Sequence, residues 1–160
     1  MFRRIDGLLA TLILVALAIG VVGLRREPER VAGQARVIDG DTLDLDGRRI
    51  RLAGLDAPEL GQTCERAGVP YRCGETARDA LRELVRTGLS CTVSGLDKYR
   101  RDLARCEASG RDVGSVLVMQ GLAVAYGRYE AEERDARQRQ SGLWAGRFER
   151  PSAWRSQHPR

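Results

Sequence analysis

The fold is decided by residues 35–59, which read ARVIDGDTLDLDGRRIRLAGLDAPE. Two runs of alternating apolar and polar residues, 42–45 and 48–55, flank the dipeptide Asp46-Gly47. Asp-Gly between alternating runs is a strong signal for a two-residue hairpin turn. Together with the preceding run at 35–38, this stretch predicts three antiparallel strands.

A second pair of strands is expected around two of the four cysteines. Residues 90–94 and 103–108 are strand-like runs on either side of a turn. If they pair antiparallel about that turn, Val93 lies opposite Ala104 and Cys91 lies opposite Cys106. Directly opposed strand residues have Cα atoms close enough for a disulfide, so this register predicts one.

The other two cysteines, Cys64 and Cys73, would close a short loop within residues 60–73. No Cys-x-x-Cys pair occurs among the four cysteines, which argues against a zinc site. Two disulfides persist only in an oxidising compartment, so the cysteines predict a domain outside the cytoplasm.

Three helices are predicted in the rest of the chain. Residues 75–87 are amphipathic and are followed by Gly88, and Asp112 is placed to cap a second helix that ends at Gly121. Residues 130–140 form a polar third helix. The residues expected to face inward from the first two helices are Ala77, Ala80, Leu81, Leu84, Val85, Val113, Val116 and Leu117.

Five strands and three helices predict an α+β domain over residues 35–145, followed by a C-terminal tail at 146–160. The expected architecture is a small five-stranded antiparallel β-barrel with helical supports, for which the OB-fold is the obvious type. Such a fold commonly takes nucleic acid at its mouth, although a fold alone is weak support for a function.

An apolar helix is predicted before this domain. Residues 7–24 carry no charge and follow Arg3 and Arg4. Their length is at the lower limit for a membrane-spanning helix and exceeds a usual signal-peptide core. We therefore predict a signal-anchor at residues 1–26, a polar linker at 27–34 and a domain on the extracytoplasmic side of the cell membrane. Secretion after signal cleavage is the alternative.

The net charge and the single histidine limit the partners and the types of catalysis that are possible for this chain. A net charge of +5 suits a phosphate-backbone partner without requiring one. The only histidine, His158, lies two residues from the C-terminus. Histidine-based nucleases, Ser-His-Asp hydrolases and His-ligated zinc sites are therefore excluded. Any acid–base chemistry must come from Asp, Glu, Lys, Tyr or Cys.

Three short segments carry charged groups suited to phosphate chemistry. They are DGDT at 39–42, DAPE at 56–59 after the strand that carries Arg51, and DKYRR at 97–101. Two acidic turns at neighbouring strand ends offer oxygen ligands for a hard divalent cation. Strict alternation would put Arg51 and Asp56 on opposite faces, so Asp56 is expected beyond the end of the strand.

In this order, the segments resemble the staphylococcal nuclease family. The run VIDGDT at 37–42, and IRL at 50–52 through DAPE, look like that family's metal and catalytic segment. Asp97-Lys98-Tyr99-x-Arg101 is similar to its second arginine turn, and GLA at 121–123, Tyr126 and GLW at 142–144 look like later landmarks. The tail and the four cysteines resemble a secreted bacterial branch of the family.

The resemblance implies an enzyme, a Ca²⁺-dependent nuclease acting on DNA or RNA, and no organic cofactor is expected. The sequence leaves the oligomeric state open, with a monomer as the default expectation. The implied metal ligands are Asp41, Asp56 and the backbone carbonyl of Ala57, with Asp39 in the second shell. Glu59 would orient or deprotonate the attacking water, and Arg51 and Arg101 would bind the scissile phosphate. The residues implied to contact the neighbouring phosphate or a stacked base are Lys98, Tyr99 and Tyr126.

One position departs from the family pattern, which has glycine immediately before the second arginine. This chain has Arg100 there, and an arginine with a positive φ is strained. Register favours Arg101 over Arg100 as the phosphate contact. The spacing before Tyr126 is also compressed, so Tyr126 and Tyr129 are interchangeable candidates for stacking.

Two other functions are compatible with the chain. One is an OB-fold module that binds single-stranded nucleic acid by charge and stacking without cutting it. The other is an extracytoplasmic scaffold near the membrane. The sequence leaves DNA against RNA preference, endo against exo action and the physiological role open.

Overall fold

The structure, a computed structural model, describes residues 27–159. The predicted apolar helix and signal-anchor at 1–26 lie outside these residues. Within 27–159, no helix has both the length and the apolar character needed to cross a bilayer.

The described part contains twelve strands and four α-helices. The strands are β1 (Arg30–Gly33), β2 (Ala35–Val37), β3 (Thr42–Leu45), β4 (Arg48–Leu52), β5 (Leu55–Asp56), β6 (Cys64–Arg66), β7 (Val69–Tyr71), β8 (Leu89–Leu96), β9 (Asp102–Ala108), β10 (Arg111–Asp112), β11 (Val124–Ala125) and β12 (Gly146–Arg147). The helices are α1 (Cys73–Leu84), α2 (Val113–Met119), α3 (Glu130–Gln138) and α4 (Pro151–Gln157), with a 3₁₀ turn at Gly142–Ala145.

The main sheet has the strand order β1-β8-β9-β4-β3-β2, with β10 added to β9. The α+β class is confirmed. The sheet differs from the expectation because it has seven strands and because β4 and β9 pair in parallel, with Arg51 opposite Leu103. That pairing joins segments that are far apart in the sequence, so no local turn motif predicts it.

The core lies between the sheet and the helices α1 and α2. Strand residues Leu43, Ile50 and Ala104 are fully buried, as are Ala77 and Leu81 of α1. Alternation along each strand puts the neighbours of these residues on the opposite face of the sheet. Arg51 lies opposite Thr42 in β3 and opposite Leu103 in β9, so these three residues share that opposite face.

Part of the segment expected to be a linker is a strand. Residues 30–33 form β1, which pairs antiparallel with β8 and sets Arg30 opposite Thr92 and Gly33 opposite Leu89. The short polar segment carried no strand signal of its own. It is a strand because the edge of β8 offers it backbone hydrogen-bond partners.

The strand predicted over 48–55 ends at Leu52. Ala53 and Gly54 form a turn, and Gly54 has a φ of +86°. A Cβ atom on Gly54 would lie 2.5 Å from the Cβ atom of Arg128, so glycine is required there. After this break, Leu55 and Asp56 form β5 against β11. The break turns the Asp56 side chain back toward Arg51 instead of away from it.

Both predicted disulfides are confirmed. Cys91 and Cys106 are directly opposed in β8 and β9 with Cα atoms 4.0 Å apart, and Cys64 and Cys73 have Cα atoms 5.6 Å apart. The segment 60–73 is more regular than a loop, because β6 and β7 form a hairpin within it and β12 extends that hairpin to three strands.

The helices agree with the sequence in number and type up to residue 138. The first begins at Cys73, two residues earlier than expected, and ends at Leu84. The Asp112 carboxylate accepts a hydrogen bond from the backbone N–H of Ser115, which confirms it as the cap of α2. Helix α4 was not predicted, since the sequence of the tail lacks an amphipathic repeat.

Candidate catalytic site

The two acidic turns pack directly against each other. Asp39 accepts a hydrogen bond from the backbone N–H of Asp41 at 3.1 Å, which closes the first turn. A Cβ atom on Gly40 would lie 2.7 Å from the Cβ atom of Ala57 and 2.9 Å from that of Ala77. Glycine is therefore needed here for close approach, and this approach brings the segment at 56–59 onto the segment at 39–42.

Arg51 lies between the two buried carboxylates of these turns. Its Nη1 pairs with Asp41 Oδ1, and its Nη2 donates to Asp56 Oδ1 at 2.9 Å. Asp41 and Asp56 are only 3% and 4% exposed. The other oxygen of Asp41 accepts the backbone N–H of Ala57 at 2.9 Å. One guanidinium and one backbone amide thus hold both acidic turns in a single cluster.

Burial lowers the pKa of the Arg51 guanidinium, and the hydrogen bond to Asp56 opposes that shift. Arginine normally ionises so far above neutral pH that it keeps its charge in a site of this kind. Burial also raises the pKa of Asp39, against hydrogen bonding from Thr42 and the charge of Arg51.

Arg101 reaches the same cluster from the turn between β8 and β9. Its Nη1 donates to Thr42 Oγ1 at 3.2 Å, and Thr42 Oγ1 donates to Asp41 Oδ1 at 3.1 Å. Asp97 holds the arginine from behind, accepting its Nε at 2.7 Å. Arg100 is exposed and has a φ of +62°, the conformation that favours glycine. The side chain at the site is therefore that of Arg101.

Glu59 joins the cluster through a residue that the sequence did not identify, Arg155 of α4. Arg155 Nη1 donates to Asp56 Oδ1 at 2.9 Å and to Glu59 Oε1 at 3.1 Å, and its Nη2 donates to Asp56 Oδ2 at 3.0 Å. These hydrogen bonds raise the pKa of the Arg155 guanidinium. Because 99 residues separate Arg155 from Asp56, no motif spacing could have identified it.

The loop that carries Glu59 is fixed by a buried amide. Gln62 is fully buried, and its Oε1 accepts the backbone N–H of Glu59 at 3.2 Å. Its Nε2 donates to the backbone carbonyl of Glu149 at 2.6 Å. A Cβ atom on Gly74 would lie 1.8 Å from the Glu59 carbonyl oxygen, so the start of α1 also lies directly under this loop.

The five residues expected to perform the chemistry are thus brought together. These five are Asp41, Arg51, Asp56, Glu59 and Arg101. A continuous series of polar contacts, which includes three further residues, runs in the order Asp97, Arg101, Thr42, Asp41, Arg51, Asp56, Arg155 and Glu59. Asp97, Thr42 and Arg155 are the members that sequence reasoning did not assign.

The expected substrate contacts lie beside this cluster and on the surface. Tyr99 is 68% exposed, with Lys98 Nζ 4.9 Å and Arg101 Cζ 5.4 Å from the centre of its ring. Tyr126 is 74% exposed, and its backbone N–H donates to the Gly54 carbonyl at 2.9 Å. Both rings are largely exposed, so a base could stack against them.

Tyr129 is not equivalent to Tyr126. It is 8% exposed, and its hydroxyl donates to Asp112, the cap of α2, at 2.9 Å. Its ring also lies against Gly114, where an added Cβ would come within 2.7 Å. The structure therefore leaves Tyr126 as the stacking candidate and gives Tyr129 a structural role.

The chemistry of the donor set fits a hard divalent cation. Asp41, Asp56 and the Ala57 carbonyl offer only oxygen atoms, which Ca²⁺ and Mg²⁺ prefer. Within residues 27–159, no group of three or more His, Cys, Asp or Glu side chains is arranged to hold a metal ion. Since Ca²⁺ takes 6–8 oxygen ligands, water and substrate would have to supply most of the shell.

The family comparison covers Arg51, Asp56, Glu59 and Arg101 of this cluster. The family described as "Staphylococcal nuclease homologue" matches residues 49–146. The chain is 35% identical over 136 residues to "Succinoglycan biosynthesis protein ExoI" of Rhizobium meliloti (strain 1021), covering 79% of this chain and 71% of that protein.

Two further relatives carry nuclease names. The chain is 32% identical over 143 residues to "Micrococcal nuclease" of Shigella flexneri, covering 75% of this chain and 77% of that protein. It is 28% identical over 163 residues to an "Uncharacterized endonuclease" of Haemophilus influenzae, covering 94% of this chain and 85% of that protein.

Proposed function

The chain belongs to the staphylococcal nuclease family, and we propose that it hydrolyses phosphodiester bonds of DNA or RNA as a Ca²⁺-dependent nuclease. The observation that carries this proposal is the position of Arg51 between Asp41 and Asp56, with Arg101 joined to the same cluster through Thr42. Buried carboxylates beside two guanidinium groups combine a cation site with a phosphate site.

The two arginines would bind the scissile phosphate. A planar guanidinium donates two parallel hydrogen bonds to phosphate oxygens, which a lysine ammonium does not. Arg51 reaches the cluster from β4, and Arg101 reaches it from the turn before β9. Their charges would stabilise the negative charge that develops as the water oxygen attacks phosphorus.

Glu59 would take the proton of the attacking water. Its carboxylate stands beside Asp56, with Arg155 hydrogen-bonded to both. The buried Gln62 fixes the backbone of Glu59, so the base is held on a rigid loop. Such positioning matters because small misplacements of a catalytic group cost large factors in rate.

Asp41, Asp56 and the carbonyl of Ala57 would hold the cation, with Asp39 supporting Asp41 from behind through its backbone N–H. A bound divalent cation supplies positive charge next to the phosphate oxygens and lowers the cost of bringing an anionic substrate to carboxylates. Lys98, Tyr99 and Tyr126 would contact the neighbouring phosphate or base.

The sheet supports an OB-fold assignment. Its parallel pairing of β4 with β9 connects two antiparallel sets of strands, as expected when a sheet curls toward a barrel. OB-folds bind oligonucleotides on one face of the sheet, and here that face would be the one that carries Thr42 and Arg51.

We further propose that the domain acts outside the cytoplasm, anchored in the cell membrane by residues 7–24 or released after signal cleavage. Two disulfides and an uncharged stretch after Arg3 and Arg4 support this location. A protein whose cysteines are recovered as free thiols from cells would contradict it.

The test is release of acid-soluble nucleotides from denatured DNA and from RNA by the oxidised protein, with Ca²⁺ and with a chelator. We expect activity that requires Ca²⁺ and falls by a factor of hundreds in Arg51→Ala, by analogy with the loss of one oxyanion-hole donor. The roles assigned above are wrong if Glu59→Gln and Arg51→Ala both cut as fast as the unmodified protein.

A non-catalytic binding module is the second candidate. The exposed rings of Tyr99 and Tyr126 favour it, because stacking platforms and basic residues suffice for binding single strands. It would be supported by strong, salt-dependent oligonucleotide binding without any cleavage in the presence of Ca²⁺.

A further inference from the structure

The C-terminal helix delivers a guanidinium to the acidic cluster. Arg155 of α4 forms a bidentate pair with Asp56, Nη1 to Oδ1 at 2.9 Å and Nη2 to Oδ2 at 3.0 Å. Its Nη1 also donates to Glu59 at 3.1 Å. The same side chain therefore engages one carboxylate assigned to the cation and the carboxylate assigned to the water.

Helix α4 is held against the rest of the domain by contacts at and before its first residue. The tail before it is held by the fully buried Gln62, whose amide donates to the Glu149 carbonyl at 2.6 Å. Pro151, the first residue of α4, is buried, and Arg150 pairs with Glu133 of α3 at 3.4 Å. Because Gln62 also bonds Glu59, the tail and the catalytic loop share one anchor.

A cation and Arg155 would compete for the carboxylate oxygen atoms of Asp56. Asp56 Oδ1 already accepts from Arg51 and Arg155, and Oδ2 accepts from Arg155. A carboxylate has about four lone-pair sites, of which these contacts use three. A divalent cation bound to Asp56 would also lie within a few ångströms of the Arg155 guanidinium, and like charges at that separation repel.

We propose that Arg155 is a further active-site residue that exchanges with the catalytic cation: its guanidinium neutralises Asp56 and Glu59 when no cation is bound, and it leaves Asp56 when the cation binds. Metal binding and the docking of α4 are then thermodynamically linked, and each weakens the other. This inference rests on the proposed function for the existence of the cation site.

The first test is Ca²⁺ affinity, measured by calorimetry on the full-length oxidised protein. Arg155→Gln should bind Ca²⁺ about tenfold more tightly than the unmodified protein, within the range typical of coupling between two ligands. Arg155→Lys keeps the charge without the bidentate contact and should lie between them. The matched control is Arg147→Gln, which removes an exposed charge in β12 and should leave the affinity unchanged.

The second test is amide hydrogen exchange of residues 152–157 in the unmodified protein, since Pro151 has no backbone N–H. Saturating Ca²⁺ should speed exchange in α4 several-fold, while exchange in α1 stays constant. Equal Ca²⁺ affinities in Arg155→Gln and the unmodified protein, with unchanged exchange in α4, would overturn the inference and leave the proposed nuclease intact. If neither protein binds Ca²⁺, the cation assignment itself is overturned, and the inference falls with it.

Discussion

Asp97 holds Arg101 by two separate contacts: Oδ1 accepts the backbone N–H of Arg101 at 2.9 Å, and Oδ2 accepts its Nε at 2.7 Å. Burial would raise the pKa of Asp97, but the backbone and side-chain hydrogen bonds from Arg101 lower it overall. The carboxylate therefore stays ionised and fixes both the turn and the direction of the guanidinium.

Asp97→Asn should lower kcat for nucleic-acid cleavage by about 10–100-fold and change KM little, because Arg101 keeps its charge but loses its orientation. The measurement is steady-state kinetics on denatured DNA. Asp79→Asn is the matched control, since Asp79 is an exposed carboxylate of α1 paired with Arg78 and Arg82. A loss confined to KM would contradict a positioning role.

Arg100 adopts a φ of +62°, which costs a non-glycine residue roughly 1–2 kcal/mol. Glycine removes that strain but loses more chain entropy on folding, about 0.5–1 kcal/mol. Arg100→Gly should therefore raise the free energy of unfolding by about 0.5–1 kcal/mol, measured from the urea midpoint at constant m value. Arg111→Gly, at a position without positive φ, should instead lower it.

Several parts of this fold could be predicted because the information is local. The Asp46-Gly47 turn, the cap at Asp112 and the opposition of Cys91 and Cys106 each follow from a few neighbouring residues. The segment at 39–42 was predicted to be an acidic turn, but the reason Gly40 must be glycine is its close approach to Ala57 and Ala77, which only the packed structure shows.

The features that escaped prediction depend on distant partners. Strand β1 forms because β8 has a free edge, and β4 pairs in parallel with β9 across some fifty intervening residues. Arg155 meets Asp56 only after the whole domain has folded. In each case the residue type is unremarkable, and the structural role comes from what lies opposite it.

Substitutions of Tyr126 and Tyr129, both in the segment after β11, should affect different properties. Tyr129→Phe removes a hydroxyl that is hydrogen-bonded to Asp112 in a buried position, so the free energy of unfolding should fall by about 1–2 kcal/mol with kcat unchanged. Tyr126→Ala should leave stability unchanged within about 0.5 kcal/mol and raise KM for single-stranded DNA. The reverse pattern would mean that Tyr129 is the stacking residue.

Asp112 should make stability depend on pH in acid. Burial would raise the pKa of Asp112, yet hydrogen bonds from Ser115, Arg105 and Tyr129 lower it overall. A lowered folded-state pKa gives stability that is present above the unfolded pKa of about 3.9 and is lost as the pH falls through the folded value. The difference in unfolding free energy between the unmodified protein and Asp112→Asn should therefore shrink below about pH 4. A difference that stays constant from pH 6 to pH 2.5 would contradict this.

The two disulfides should contribute to different properties. Cys91–Cys106 crosslinks β8 and β9 inside the main core, with both residues at most 1% exposed, whereas Cys64–Cys73 joins β6 to the start of α1, next to Gln62. Cys91→Ala/Cys106→Ala should lower the free energy of unfolding by about 3 kcal/mol, as expected for a closed loop of this length. Its kcat at a temperature where it stays folded should match the unmodified protein.

Cys64→Ala/Cys73→Ala should lower kcat as well as stability. Cys73 is the first residue of α1, and its Sγ lies 3.4 Å from the Gln62 carbonyl oxygen, so opening this crosslink frees the anchor that Glu59 shares with the tail. The loss in kcat should be about tenfold or more, since a catalytic base loses its rigid support. If both double variants lose kcat equally at matched folded fractions, the rigidity of the Glu59 loop does not come from this crosslink.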